Sequence, residues 1–200
     1  MKNSPLQRLI PLTASWATAL ALMAGSAHAS MTVKGVQFPD TDEVASQPLQ
    51  LNGAGVRVKV IFDVYAASLY LPQRQTTAQG ALSTPGAKSV QAVLLRDLSA
   101  QEFVDALIKG YKANNSAADV EKLHDQMTNL EAMMLALKSA PKGSRLRIDL
   151  VPGAGTRIWL NGKRHGSDIP GDDFYQSLLR IWLGSKPVDA DLKSALLGSP

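Results

Sequence analysis

The chain has 200 residues, and 45% of them are hydrophobic, which is enough for one good core and for one domain, or two at most. Its formal net charge is +4. The chain contains no cysteine, so a disulfide framework, a thiol nucleophile and a cysteine-based metal site are excluded.

The first 29 residues have the features of a secretory signal peptide. Lys2 and Arg8 form a basic start, an apolar run rich in alanine and leucine follows, and Ala27-His28-Ala29 is a suitable cleavage site. Polar residues interrupt the run, which lacks the ~20 consecutive apolar residues of a membrane-spanning helix. We therefore expect residues 1–29 to be removed, and residues 30–200 to form one domain that works outside the cytoplasm.

Charge limits the partners of this mature chain. Without Lys2 and Arg8, 19 basic residues face 17 acidic ones, a net charge of +2, and the charges are scattered. The pattern contains no basic footprint for nucleic acid and no polybasic stretch for anionic lipid. We expect a monomer with no nucleic-acid partner and no stable membrane span.

The sequence signals for the first strands are weak. The segment from Met31 to Phe38 predicts one short strand with a bulge at Gly35, and a polar connection from Asp40 to Pro48 follows it. The bulge is expected because a glycine inside a strand pattern commonly marks one.

The stretch from Gly53 to Pro72 has the clearest periodicity in the chain. Every second residue is apolar, in the order Val56, Val58, Val60, Phe62 and Val64. A period of two predicts one half-buried strand, with a break near Ala66 and with Arg57 and Tyr65 together on its other face. That face either meets water or looks into a cleft covered by helices, where the two side chains would hold an anion.

The rest of the chain alternates between helical and extended patterns. A loop with one helical turn (73–87) and a strand (89–95) precede a helix that opens with the capping box Ser99–Glu102 and ends near Lys112. A second amphipathic helix runs from about 116 to 141. Strands at 145–151, 157–160 and 163–165, the last two joined by a hairpin turn at Asn161-Gly162, lead to helices at about 172–183 and 189–197. This order predicts an α+β fold in which helices pack on one face of an antiparallel sheet.

Several kinds of catalytic site are not predicted. The mature chain has only His124 and His165, which are far apart and in different element types, so no metal site is expected. There is no G-x-S-x-G elbow for a serine hydrolase. Gly153-Ala154-Gly155 lies between two strands, where it forms a turn and not a nucleotide-binding loop. We expect no cofactor.

The G-x-G-x-R-x-K pattern at Gly53–Lys59, followed by V-Y-A-A at Val64–Ala67, resembles the chalcone isomerase superfamily in its non-catalytic, fatty-acid-binding branch. Phe174–Gly198 is similar to the closing helices of bacterial exported members. The resemblance implies an open-faced β-sandwich and a periplasmic or secreted protein. Because fatty-acid-binding members pair an arginine with a tyrosine for the carboxylate, it also implies that Arg57 and Tyr65 bind the ligand here.

The chemistry of Arg57 favours the same interpretation. A buried guanidinium needs an anionic partner. On one extended strand Asp63 would lie roughly 20 Å from Arg57, too far to pair with it. A ligand carboxylate would satisfy the guanidinium, with the Tyr65 hydroxyl or Lys59 as a further donor.

The resemblance to the catalytic branch is incomplete. Catalytic members carry a tyrosine and an asparagine seven residues apart at the start of their first long helix, and the corresponding region, Leu98–Ile108, contains neither. The leading hypothesis is therefore a protein that binds a fatty acid or similar amphipathic carboxylate between sheet and helices. One alternative is an isomerase or intramolecular lyase that uses Arg57 and Tyr65. The other is a structural or partner-binding periplasmic protein in which these two side chains bond to the chain's own backbone.

Overall fold

The computed structural model describes residues 30–199, so the predicted signal peptide, residues 1–29, lies outside the described residues. Within the described range the chain forms eleven strands and six helices. The strands are β1 (Ser30–Val33), β2 (Val36–Pro39), β3 (Thr41–Val44), β4 (Gln47–Lys59), β5 (Phe62–Leu71), β6 (Lys88–Leu94), β7 (Leu98–Ser99), β8 (Ser139–Ala140), β9 (Arg145–Val151), β10 (Gly155–Leu160) and β11 (Lys163–Ile169). The helices are α1 (Ala78–Ser83), α2 (Ala100–Asn114), α3 (Ala117–Lys122), α4 (His124–Leu135), α5 (Asp172–Leu183) and α6 (Ala190–Leu196).

Seven strands form one antiparallel sheet in the order β11-β10-β9-β6-β5-β4-β3. Neighbouring strands of the sheet are also consecutive strands in the chain, with one exception. Strands β6 and β9 are neighbours in the sheet, although the segment that contains α2, α3 and α4 lies between them in sequence. β1 and β2 form a separate hairpin, and β7 pairs with β8 in a two-residue ladder. Short turns join β3 to β4, β4 to β5, β9 to β10 and β10 to β11, whereas β5 and β6 are joined by a longer segment that contains α1.

The two faces of the sheet carry two cores. The larger core lies between the sheet and the helices, and the smaller one, which includes Phe38 and Tyr70, lies on the other face beneath the β1–β2 hairpin. The predicted α+β architecture, with helices on one face of an antiparallel sheet, is confirmed. Both cores consist of residues from 33 to 197, so a chain that begins at Ser30 contains all of them and is expected to fold on its own.

The sequence of α5 explains its central place in the larger core. Apolar residues recur on several faces of the helix, as expected of a helix covered nearly all round. Its buried residues are Phe174, Tyr175, Ser177, Leu178, Leu179, Ile181, Trp182 and Leu183. Packing explains most of this set, but a buried tryptophan also needs an acceptor for its indole N–H.

Two glycines allow α6 to lie directly against β4. A side chain at Gly53 would place its Cβ 2.1 Å from the carbonyl oxygen of Ala195, and one at Gly55 would place its Cβ 2.6 Å from the Cβ of Ala195. Asn52 adds a hydrogen bond from its side-chain amide to the carbonyl oxygen of Leu196 (2.7 Å). The G-x-G motif and the closing helix, two segments that are distant in sequence, are therefore one packing unit.

The prediction of one strand across Gly53–Pro72 is wrong. The chain reverses at Val60 and Ile61, so β4 and β5 form a hairpin, and β5 continues to Leu71 without the predicted break near Ala66. The alternating residues did not reveal the turn because it contains neither glycine, asparagine nor proline. As a result, the apolar residues Val58, Val60 and Phe62, which were predicted to be buried, are exposed.

Other boundaries also differ from the predictions. Gly35 lies in the turn of a hairpin (φ 79°) and not in a bulge, and β3 lies within the predicted polar connection. The second long helix is two helices, α3 and α4, separated at Leu123, and it ends well before Pro141 because the chain turns at Lys138 (φ 61°) into β8. The helix α5 follows Gly171 with no side-chain cap, although Asp172 or Asp173 was expected to provide one.

Where local side-chain chemistry defines an element, the predictions are confirmed. Ser99 and Glu102 form a reciprocal capping box at the start of α2. Asn161 and Gly162 both take positive φ in the β10–β11 turn. The helical turn in the 73–87 loop is α1.

We expect Gly53→Ala to lower the free energy of unfolding by about 2–3 kcal/mol, because the added methyl group meets backbone and cannot be accommodated by a side-chain movement. Urea denaturation of the chain that begins at Ser30 measures the loss. Gly35→Asn is the control, since a side chain there meets nothing within 4 Å and asparagine tolerates the turn conformation. Equal stability of the two variants would contradict the packing role of Gly53.

Candidate ligand-binding cleft

A cleft of about 480 Å³ opens between the β4–β5 hairpin, α2 and the end of α5. Its polar lining residues are Arg57, Lys59, Tyr65, Arg96, Glu102, Asp105, Lys109 and Lys186. Its apolar wall includes Val64, Leu98, Phe103, Ala106, Leu107, Ile181, Trp182, Pro187 and Val188. The three predicted site residues, Arg57, Tyr65 and Lys59, therefore line the same cleft.

Arg57 and Tyr65 are cross-strand neighbours and not neighbours along one strand. They lie directly opposite each other in the β4–β5 register, immediately before a shift in that register between Arg57 and Val58. Opposite residues of an antiparallel pair project to the same face of the sheet. The guanidinium carbon of Arg57 lies 5.5 Å from the centre of the Tyr65 ring, within the range of a cation–π contact.

The Tyr65 hydroxyl is held in place by α5. It is buried, and it accepts a hydrogen bond from the indole Nε1 of Trp182 (2.9 Å). Burial raises the pKa of Tyr65, and the charge of Arg57 opposes this rise without cancelling it. The hydroxyl thus keeps its proton at neutral pH, and no acceptor for that proton lies within residues 30–199.

Arg57 has an unsatisfied donor of its own. Its Nε atom is buried and has no hydrogen-bond partner in the described part of the chain. The argument that placed Asp63 about 20 Å away assumed one strand and is wrong, but Asp63 is engaged elsewhere, with Lys34 at 3.0 Å. Leaving a buried donor without an acceptor costs about 1–3 kcal/mol, more for a charged group.

The hypothesis that both side chains bond to backbone is wrong for Tyr65, whose hydroxyl meets the Trp182 side chain.

Lys59 lies near the exposed end of β4, at the rim of the cleft. It contributes a mobile positive charge and not a fixed donor, because its side chain is exposed. Glu102 and Asp105, the two carboxylates of the lining, already accept hydrogen bonds from Ser99 and Gln101 respectively. The lining carries five cations against these two carboxylates, so the positive charge of the cleft is only partly offset.

A small apolar crevice adjoins the cleft. It measures about 40 Å³ and shares Leu98 and Phe103 with the cleft lining. Behind these two side chains it is lined by Leu94, Met134, Leu146 and other residues of the larger core. Phe103 therefore separates the polar cleft from a part of the core that is less than fully packed.

A second cavity, of about 380 Å³, lies on the opposite face of the sheet, but its charged groups satisfy one another. Arg147 donates from Nε to both oxygens of Asp149 (2.8 and 2.9 Å) and pairs with Asp42 (2.9 Å). Trp159 donates to Asp149 (2.9 Å). Burial raises the pKa of Asp149, and the adjacent guanidinium opposes that rise. This network explains Trp159 as a structural residue and pairs the buried charges of the cavity with one another. The exposed Arg145 and Glu43 also line the cavity and form no ion pair within residues 30–199.

Within residues 30–199, no group of three or more histidine or acidic side chains is placed to hold a metal ion. In the same range no helix is long and apolar enough to cross a membrane.

The profile of the chalcone isomerase-like family matches residues 30–198. The chain belongs to this family. Among solved structures, its fold is similar to that of a fatty-acid binding protein from Arabidopsis thaliana, with a TM-score of 0.66 and 16% sequence identity over 84% of this chain and 96% of the plant chain. At this identity the similarity shows the fold. No curated protein matches the sequence.

Sequence reasoning did not identify Trp182 as part of the site and assigned it to packing alone. The available signal was chemical: α5 is buried on most sides, so the indole N–H had to find an acceptor. The Tyr65 hydroxyl, which the family motif places on the neighbouring sheet, is that acceptor.

We expect Tyr65→Phe to lower the free energy of unfolding by about 1–3 kcal/mol, because it leaves the buried Trp182 N–H without an acceptor. A double-mutant cycle with Trp182→Phe should give a coupling energy of about 1 kcal/mol in urea unfolding. Tyr111→Phe is the matched control, since the Tyr111 hydroxyl is buried without a hydrogen bond inside residues 30–199. A coupling energy near zero would contradict the role of the hydrogen bond.

Proposed function

We propose that the protein binds a fatty acid or a similar amphipathic carboxylate in the cleft lined by Arg57, Lys59 and Tyr65. The proposal depends above all on two donors, the buried Arg57 Nε and the Tyr65 hydroxyl, neither of which has an acceptor within residues 30–199. A carboxylate offers two oxygens that accept such donors, and charge strengthens both bonds. Lys59, at the rim, adds long-range attraction for the anion.

The apolar wall supports a ligand with a hydrocarbon chain. The cleft volume of about 480 Å³ lies within the usual range for small-molecule sites. Phe103 stands between the cleft and the apolar crevice, so rotation of its side chain would extend the apolar path into the larger core. The name of the Arabidopsis thaliana structure, a fatty-acid binding protein, is a further support from a protein of similar fold.

Arg57→Ala should weaken binding of palmitate by about 2–5 kcal/mol, the usual cost of removing one member of a desolvated charge pair. Isothermal titration calorimetry on the chain that begins at Ser30 measures this. Tyr65→Phe should weaken binding less, by about 0.5–1.5 kcal/mol, because it removes one neutral donor. Arg96→Ala is the matched control: this exposed cation lines the same cleft, and its loss should cost less than about 1 kcal/mol.

The same variants distinguish the alternatives. Unchanged palmitate affinity in Arg57→Ala, or loss of its folded state, would mean that the arginine is a structural residue. In the absence of ligand, Arg57→Ala should be at least as stable as the parent, because it removes an unsatisfied buried donor. Stereoselective flavanone formation from a chalcone that is lost in Arg57→Ala would instead support the isomerase hypothesis.

We also propose that the protein is exported to a bacterial periplasm or secreted. The support is the leader pattern of residues 1–29, together with a family match that begins at residue 30, directly after the predicted cleavage site.

Expression of the full chain in a bacterium tests export. We expect the protein in the periplasmic fraction with Ser30 as its first residue, because signal peptidase recognises the small residues Ala27 and Ala29. N-terminal sequencing and fractionation measure this outcome. Ala29→Pro is the control that should block cleavage. Membrane-bound protein that retains Met1 in the parent chain would contradict the proposal.

A further inference from the structure

The turn of the β4–β5 hairpin is apolar and exposed. Val58, Val60, Ile61 and Phe62 are exposed to 42%, 88%, 79% and 58% respectively. We call these four residues the hairpin tip. Single exposed apolar residues are ordinary, but a contiguous group on a projecting turn is typical of a surface that contacts something apolar.

The backbone of the tip is strained at Val60. Val60 has a φ of 62°, in the left-handed region, which β-branched residues rarely adopt. Two-residue hairpin turns commonly use asparagine or glycine there, and this chain does so at Asn161-Gly162. Backbone strain of this kind is concentrated at functional positions, where a particular side chain is needed.

Positive charge surrounds the base of the tip. Four exposed cations line the cleft beside it and form no ion pair within residues 30–199: Lys59, Arg96, Lys109 and Lys186. They come from β4, the connection after β6, α2 and the segment after α5, so no polybasic stretch appears in the sequence. Folding gathers them at one end of the molecule.

The acidic groups of this region are already engaged. Asp63 pairs with Lys34 at 3.0 Å, and Asp189 accepts hydrogen bonds from the backbone N–H groups of Val58 and Leu192. Glu102 belongs to the capping box of α2, and Asp105 accepts from Gln101. These four carboxylates keep their negative charge, but six cations stand against them: the four above together with Arg57 and Lys34. The region therefore keeps a net positive charge, which is complementary to an anionic partner with an apolar interior.

We propose that the hairpin tip inserts into the boundary between headgroups and acyl chains of an anionic lipid bilayer, while the four cations contact the headgroups. An apolar group flanked by cations binds such an interface through buried apolar area and electrostatic attraction. Docking does not depend on the proposed function. The suggested purpose of docking does rest on the proposed function: docking would open the cleft towards the membrane in which a fatty acid dissolves.

Vesicle sedimentation tests the docking. The chain that begins at Ser30 should bind vesicles of phosphatidylcholine with phosphatidylglycerol. It should bind vesicles of pure phosphatidylcholine much less, and high salt should weaken its binding to the anionic vesicles. Ile61→Asp should lower the partition coefficient at least about tenfold, because one exposed apolar side chain no longer enters the bilayer. Leu135→Asp, at an exposed apolar residue of α4 outside the cleft lining, is the matched control and should bind like the parent.

A reporter variant locates the tip directly. In Ile61→Trp, the emission of the new tryptophan should shift to the blue on addition of phosphatidylglycerol vesicles and should be quenched by lipids brominated on their acyl chains. The chain that begins at Ser30 otherwise contains Trp159 and Trp182, which are already packed in the fold, so the parent protein provides the baseline. An unshifted, unquenched spectrum would overturn the proposal.

Two further outcomes would also overturn it. Equal loss of vesicle binding in Ile61→Asp and Leu135→Asp would show that the tip has no special role. A parent protein that forms dimers, which Ile61→Asp dissociates and which bind no vesicles, would identify a second copy of the chain as the occupant. Palmitate affinity in solution without vesicles should be the same in Ile61→Asp and the parent, so failure of docking and failure of the proposed function give different results.

Discussion

The close approach of α6 to β4 is the constraint on which the cleft depends. Gly53 and Gly55 leave no space between strand and helix, and Asp189, at the start of α6, accepts from the backbone N–H of Val58 (2.8 Å). The segment between α5 and α6 is then held to α2, because Asn114 donates to the carbonyl oxygen of Lys186 (2.7 Å) and accepts from its N–H (2.8 Å). This segment is one wall of the cleft. A larger residue at either glycine would move a wall as well as weaken the core.

The hydrogen bonding of the cleft differs from that of the region around it. The capping groups and ion pairs nearby are satisfied within the described chain, whereas the Arg57 Nε is not. Contact with the Tyr65 ring offsets part of that cost. The other buried side-chain groups without a partner in the described chain are neutral hydroxyls, on Ser68, Ser89, Tyr111, Ser144 and Thr156. The Arg57 donor differs from them because it belongs to a charged group, and it would favour a carboxylate over a neutral headgroup as its acceptor.

Sequence reasoning was most accurate where one residue type has one local role. The capping box of α2 is set by hydrogen bonds between near neighbours, and the Asn161-Gly162 turn by two residues that readily adopt positive φ. It was wrong at the Val60-Ile61 turn, because strict alternation predicts extended chain and the residues of that turn give no contrary signal. The family resemblance still placed Arg57 and Tyr65 together, since the motif includes both strands of the hairpin. The Trp182 contact could not be predicted from periodicity, because it joins residues 117 positions apart.

The hairpin combines three features within a short segment of the chain. Its base contains the glycines that receive α6, its middle contains the pair formed by Arg57 and Tyr65, and its end is the exposed apolar tip. A shift in strand register separates the pair from the tip, between Arg57 and Val58. Strand pairing is irregular there, and such a shift bends the strand between the tip and Arg57, whose guanidinium lies over the Tyr65 ring. Packing against α6 therefore constrains the residue types at the base, whereas at the tip the backbone N–H of Val58 is held by Asp189 and the side chains are exposed.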